Sequence, residues 1–288
     1  MARHTREAIC RSLLTMATVA FAATTGAAIT PPIVTSAAPP DRTDSYLGTW
    51  NYDQPAGDTN IAVMNLFGTP VRIPQIGNIT FERDAGGGVT GRTDQGCTWH
   101  FEVLSDRLEL ASRDQYCFNK VIGSGYNIDS WRVTMDGAGR MRETLHATSY
   151  NGGVEFSFGL TDGRRTKTGT ESRAETMRRF EGRWTYDQPD PLKLVNILTA
   201  PPITKTGMVT IAPGNDGTIV ARTDNGCAWT LHADGNTAVL APSVQHCGGE
   251  TMTFWTIAAE NGHQSSVMAG TDASGTSYAL NIGSLSRS

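Results

Sequence analysis

Apolar and polar side chains alternate along this chain in short runs that stop at glycine, asparagine and proline. In Thr98-Trp99-His100-Phe101-Glu102-Val103 the residues Trp99, Phe101 and Val103 share one side of an extended backbone, and Glu155-Phe156-Ser157-Phe158 repeats the pattern. Period-two runs of this kind predict strands with one buried and one wetter face. Eight are predicted in the first half: Leu47–Asp53, Gly77–Arg83, Gly88–Asp94, Thr98–Val103, Arg107–Ala111, Asn127–Met135, Arg140–Ser149 and Val154–Leu160. Turn sequences such as Asp84-Ala-Gly-Gly-Gly88, Asp136-Gly-Ala-Gly139 and Asn151-Gly152-Gly153 separate them. The second half offers a similar order, punctuated at Asn215-Asp-Gly217, Asp234-Gly235, Asn261-Gly262 and Ala273-Ser-Gly275.

The likeness of the halves extends to the letters. Gly48-Thr-Trp50-Asn-Tyr52-Asp53-Gln54-Pro55 returns 134 residues later as Gly182-Arg-Trp184-Thr-Tyr186-Asp187-Gln188-Pro189. Arg92-Thr93-Asp94-Gln95-Gly96-Cys97-Thr98-Trp99 returns after 130 residues as Arg222-Thr223-Asp224-Asn225-Gly226-Cys227-Ala228-Trp229. The chain therefore reads as an all-β tandem duplication, with copies at residues 44–162 and 180–288. Eight sequential strands with tight turns in each copy predict an antiparallel barrel of roughly eight strands, or a closely related sandwich.

Residues 163–179, with six basic and two acidic side chains, read as a basic linker, within which Ser172 to Phe180 has the spacing of a short helix. Ahead of the first copy, residues 1–28 carry an Arg-containing start and then an uncharged stretch of small and apolar residues, the pattern of a signal peptide. Small residues suited to cleavage lie around Ala22 and Ala28, and residues 29–43 form a Pro-rich lead-in expected to be disordered. A secreted protein without stable membrane insertion is expected.

Of the five cysteines, Cys10 would leave with the leader. Cys97, Cys117, Cys227 and Cys247 remain, and each pair is separated by 20 residues. The equal spacing favours Cys97–Cys117 and Cys227–Cys247, one bridge per copy, in an oxidising compartment. No C-x-x-C or H-x-x-x-H spacing supports a zinc site, so no metal and no cofactor is expected. With 24 Lys and Arg against 28 Asp and Glu in 288 residues, the net charge of -4 provides no electrostatic footprint for nucleic acid.

The opening Gly48-Thr49-Trp50 and Gly182-Arg183-Trp184 resemble the first-strand Gly-x-Trp of the calycin barrels, the group that includes lipocalins and avidins. The resemblance implies a barrel able to hold a small ligand and brings no catalytic residue with it. The candidate ligand-binding residues are Trp50, Tyr52, Arg92 and Trp99, with Trp184, Tyr186, Arg222 and Trp229 in the second copy. The aromatic residues would stack on an apolar molecule or plug the barrel, and the arginines would supply a polar end or pair internally. Trp131 and Trp255 form a third pair, although their distances from the second cysteine differ by six residues.

Three functions follow: a secreted tandem barrel binding a small apolar or amphipathic ligand, a non-enzymatic interaction or envelope-associated module, and a secreted hydrolase or isomerase with its site in the first copy. No nucleophile elbow, P-loop or dinucleotide fingerprint is present. An enzyme site in the first copy would draw on His146 with Glu143, the pair Asp53 and Asp94, or Asn119 and Lys120.

Overall fold

The computed structural model describes residues 42–66, 69–119, 124–151, 154–169, 171–190 and 206–288. The leader and most of the lead-in lie outside these residues. In chain order the first copy holds α1 (Thr43–Tyr46), β1 (Gly48–Tyr52), β2 (Ile61–Leu66), β3 (Thr69–Pro74), β4 (Asn78–Arg83), β5 (Val89–Thr93), β6 (Thr98–Val103), β7 (Arg107–Leu110), β8 (Gln115–Asn119), β9 (Ser124–Met135), β10 (Arg140–Asn151) and β11 (Val154–Lys167). The second holds α2 (Arg173–Phe180), β12 (Gly182–Tyr186), β13 (Met208–Pro213), β14 (Thr218–Thr223), β15 (Ala228–Asp234), β16 (Thr237–Leu240), β17 (Gln245–Cys247), β18 (Glu250–Glu260), β19 (His263–Thr271) and β20 (Ser277–Arg287).

Each copy closes into an eight-stranded antiparallel barrel. The first runs β1-β4-β5-β6-β7-β9-β10-β11 and closes where β11 pairs with β1. The second runs β12-β13-β14-β15-β16-β18-β19-β20 and closes where β20 pairs with β12. The eight strands of the first closure are the eight that alternation predicts. Three others escape that prediction and stand outside the ring: the β2–β3 hairpin, which pairs with β11, and β8, which pairs with β9. A barrel rather than a sandwich forms because closure leaves neither β1 nor β11 with a free edge.

The helices repeat as well. The Trp50 indole N–H donates to the carbonyl of Tyr46 at 2.7 Å, and that of Trp184 donates to the carbonyl of Phe180 at the same distance. Tyr46 and Phe180 are buried, so α1 and α2 each plug the mouth of the barrel that follows. Ser172 and Glu175 form a capping box that starts α2. The segment read as a basic linker is thus divided between the two copies: residues 163–167 complete β11, and α2 belongs to the second barrel. Composition cannot mark this boundary, because an outward face of a strand or helix is as polar as a linker.

Disulfides join Cys97 to Cys117 and Cys227 to Cys247. Each ties the turn before an inner strand to β8 or β17, strands held otherwise by one neighbour. Replacing Cys97 and Cys117 together by serine is expected to lower the unfolding free energy by roughly 3 kcal/mol, the loop-entropy value for a closure of this length. Urea unfolding of the double variant checks this, and a loss under about 1 kcal/mol contradicts it.

The barrels also share a core. Phe254, Ala258, Val267, Ala269 and Ile282 project from the outer face of the second barrel and bury against Ile76 and Ile73 of the first. Asn51 donates to the carbonyl of Asp234 and Asn236 donates to that of Tyr52, both at 2.8 Å, while Gln54 donates to Ser265 at 2.7 Å. Strands β18 and β19 are consequently buried on both faces, which is why Phe254-Trp-Thr-Ile-Ala-Ala259 is nearly continuous in apolar character instead of alternating.

Candidate functional site

Aromatic side chains line the upper interior of the first barrel. Trp99 and Trp131 meet edge to face at 6.3 Å, Phe101 meets Trp131 at 5.2 Å, and Tyr126 lies 5.6 Å from Trp99 and 5.7 Å from Phe158. Inward positions bring them together across the barrel interior, since alternate residues of β6, β9 and β11, each one strand removed from the next, face the same enclosed space. A cavity of about 170 Å³ remains among them. Its walls include Trp99, Tyr126, Trp131, Phe156 and Phe158 from the barrel, Met64 and Ile73 from the β2–β3 hairpin, and Phe254, Thr256 and Val267 from the second barrel.

Polar groups converge on the same space. Arg165 and Glu143 form an ion pair, Nε to Oε2 at 3.0 Å, with side chains 3% and 0% exposed. The Arg165 guanidinium lies 3.4 Å from the centre of the Tyr52 ring and donates to the carbonyl of Trp50, while the Trp131 indole N–H donates to Glu143 at 3.2 Å. Asp94 lies in the cavity wall, where desolvation pushes its carboxyl up to about 6. The Asn78 amide, the Arg165 charge and the Thr256 hydroxyl, the last at 3.4 Å, oppose that rise. Burial likewise pushes the Tyr126 phenol up to about 12.

Strand register places the second copy's equivalents. Tyr52 faces Arg165 across β1–β11, and Tyr186 faces Leu285 across β12–β20. Val133 pairs with Glu143 and Trp131 with Leu145, whereas Ile257 pairs with Ser266 and Trp255 with Met268. The ion pair of the first barrel is therefore replaced by Ser266 and Leu285 in the second. The Trp255 indole N–H donates to Ser266 at 2.8 Å, as that of Trp131 does to Glu143. A continuous cluster from Phe180 and Trp184 through Trp229, Trp255 and Met268 to Leu285 fills the second interior.

The residues expected to bind ligand separate into three groups. Tyr52 and Trp99 line the cavity. Trp50, Trp184, Tyr186 and Trp229 are buried in the cores, with Lys167 and Arg287 on the closing strands facing the rings of Trp50 and Trp184 at 5.4 Å and 4.8 Å. Arg92 and Arg222 are exposed on the outer face, where Arg92 meets Glu82 and donates to Thr98. Alternation along β5 would place Asp94 on the outer face with Arg92, but β5 ends at Thr93 and the turn that follows carries Asp94 into the cavity wall. The polar end comes instead from Asp94 and Arg165.

The catalytic pairings fare differently. His146 is exposed and pairs with Asp129 at 2.7 Å on the outer face, whereas Glu143 points inward, so the two do not form one site. Asp53 accepts from Thr166 at 2.7 Å, and Asp187 accepts from Ser284, which assigns both to barrel closure. Asn119 donates to Gln95 at the cavity rim, and Lys120 lies outside the described residues. Among the described residues no three His, Cys, Asp or Glu side chains are grouped to hold a metal ion.

Arg165 was hidden from sequence comparison because it lies beyond the first copy's apparent end at residue 162. The signal lay in the second copy, whose matching closing strand runs to Arg287. Glu143 is named from sequence with the wrong partner, His146, because its true partner Arg165 lies on a different strand 22 residues further on.

No known protein family and no curated protein matches this chain. Among solved structures it is similar to a chain from Bacteroides fragilis whose designation as an outer membrane protein is provisional, at 10% identity and a TM-score of 0.28, over 86% of this chain and 99% of that one. It is also similar to a protein of unknown function from the DUF3598 family of Nostoc punctiforme, at 9% identity and a TM-score of 0.26, with the same coverage of both chains. At these scores neither likeness bears on function.

Proposed function

We propose that this is a secreted binding protein whose first barrel holds one small apolar or amphipathic molecule, while the second barrel closes the cavity from outside. The cavity carries the reading: apolar and aromatic walls with a few convergent polar groups are the usual composition of a small-molecule site. Its volume sets the scale, because a cavity of about 150 Å³ is known to admit one benzene. The two disulfides support an extracytoplasmic location. Inward apolar and outward polar residues, as in the β15 pattern of Trp229, Leu231 and Ala233 facing in, oppose the lipid-facing apolar band of a membrane-spanning barrel. The Gly-x-Trp likeness to calycins supports the same use of a barrel.

Trp99 and Trp131 report occupancy. Titration with single-ring compounds is expected to change tryptophan emission and raise the thermal midpoint with ligand concentration. Absence of both responses across neutral and charged compounds of that size overturns the reading. A docking module is favoured by one observation, the exposed Tyr116 and Phe118 on β8 outside the ring. Retention on envelope fractions that disappears on replacing both by serine would support that alternative.

A further inference from the structure

Resting on that reading, we infer that the ligand of the first barrel is a small organic cation, a protonated amine on an apolar or aromatic body, with Asp94 as its counter-charge. The charges around the cavity do not balance. Among the described residues Arg165 is the one cation in the cavity wall, and it is held between two carboxylates: bonded to Glu143 and attracted to Asp94. Glu143 and Arg165 neutralise each other, which leaves the Asp94 carboxylate in the wall without an equal cation.

The groups facing Asp94 from each packed element are the Asn78 amide on β4, the Gln95 amide in the following turn, Arg165 on β11, the Tyr126 phenol on β9 and the Thr256 hydroxyl on β18. Only Arg165 among these is charged opposite to Asp94. The other walls include the rings of Trp99, Tyr126, Trp131 and Phe254, which cover an apolar body and attract a cation wherever it meets a ring face. An anion would meet the Asp94 carboxylate in a wall whose Arg165 is already bonded to Glu143. The second copy provides an internal comparison: its Asp224 is exposed and accepts from the Met208 amide at 2.7 Å, so the turn itself needs an acceptor but not a buried charge.

Calorimetric titration of the full chain with ethylbenzene, benzylamine and phenylacetate separates the two claims. Binding in the order benzylamine, ethylbenzene, phenylacetate is expected at pH 7.5. Binding of ethylbenzene or phenylacetate at least as tight as benzylamine overturns the cation assignment and leaves the binding function standing. Binding of none overturns the function itself.

Asp94→Asn is expected to weaken benzylamine at least tenfold and to leave ethylbenzene within about twofold. A second readout uses the unaltered protein. With the Asp94 carboxyl near 6, benzylamine affinity at pH 5 is expected to fall about tenfold from its value at pH 7.5, because the carboxylate is ionised above that point and protonated below it. Ethylbenzene should show no such dependence. An affinity for benzylamine that is flat between those pH values counts against Asp94.

Discussion

Arg165→Leu alone is expected to lower the unfolding free energy by about 3–5 kcal/mol, the range for removing one member of a buried ion pair. The loss comes from Glu143, whose carboxylate would remain fully buried with the Trp131 indole but without its guanidinium. Combining it with Glu143→Ser copies the second barrel, where Ser266 and Leu285 occupy these positions and Ser266 takes the indole hydrogen bond. The double variant is therefore expected to recover at least half of that loss. Urea unfolding of both singles and the double gives the coupling directly. Additive losses would mean that the first barrel depends on the charge pair for its geometry and that register equivalence does not extend to energetics. The same single change should move the Asp94 carboxyl further upward, since Arg165 is among the groups that favour its charged form.

Phe254→Ala is expected to cost about 3 kcal/mol of stability and to weaken ethylbenzene at least tenfold. Phe254 is buried on the outer face of the second barrel, packed among Val267, Ala269 and Ile282, and it also closes the first barrel's cavity. Truncation removes both contacts. Chemical unfolding measures the first loss and calorimetric titration the second. If stability falls while affinity does not change, the first barrel encloses its ligand alone and the second is only a neighbour.

Much of this architecture is legible in local pattern. Trp99, Phe101 and Val103 alternate because β6 has one face in a barrel and one outside it. Asn261-Gly262 turns β18 into β19 with both residues at positive φ, 51° and 79°, which asparagine and glycine tolerate best. The equal cysteine spacing corresponds to equivalent bridges because each joins the same turn to the same peripheral strand.

The site was less legible. Trp50 and Tyr52 lie two residues apart and both point inward, yet Trp50 plugs the barrel beneath α1 while Tyr52 reaches the cavity. Periodicity assigns a side and does not assign a depth. Arg165 is strongly polar and therefore resembles linker, although its place on β11 opposite Tyr52 buries it. The apolar run in β18 carried a readable sign of burial on both faces, but nothing local identifies the first barrel as what covers the outer one.

The two copies, the eight ring strands of the first, the disulfide pairing and the inward face of most strands were legible in the chain, because each shows as local alternation or as a repeated spacing. The cavity of the first copy, by contrast, was set by packing between distant elements. That volume depends on how side chains from β1, β6, β9, β10 and β11 fill a shared interior, and on Phe254 and Val267 arriving from the second copy. Charge followed packing: Asp94 and Asp224 occupy the same word of sequence, and only the one covered by the other barrel is drawn out of water.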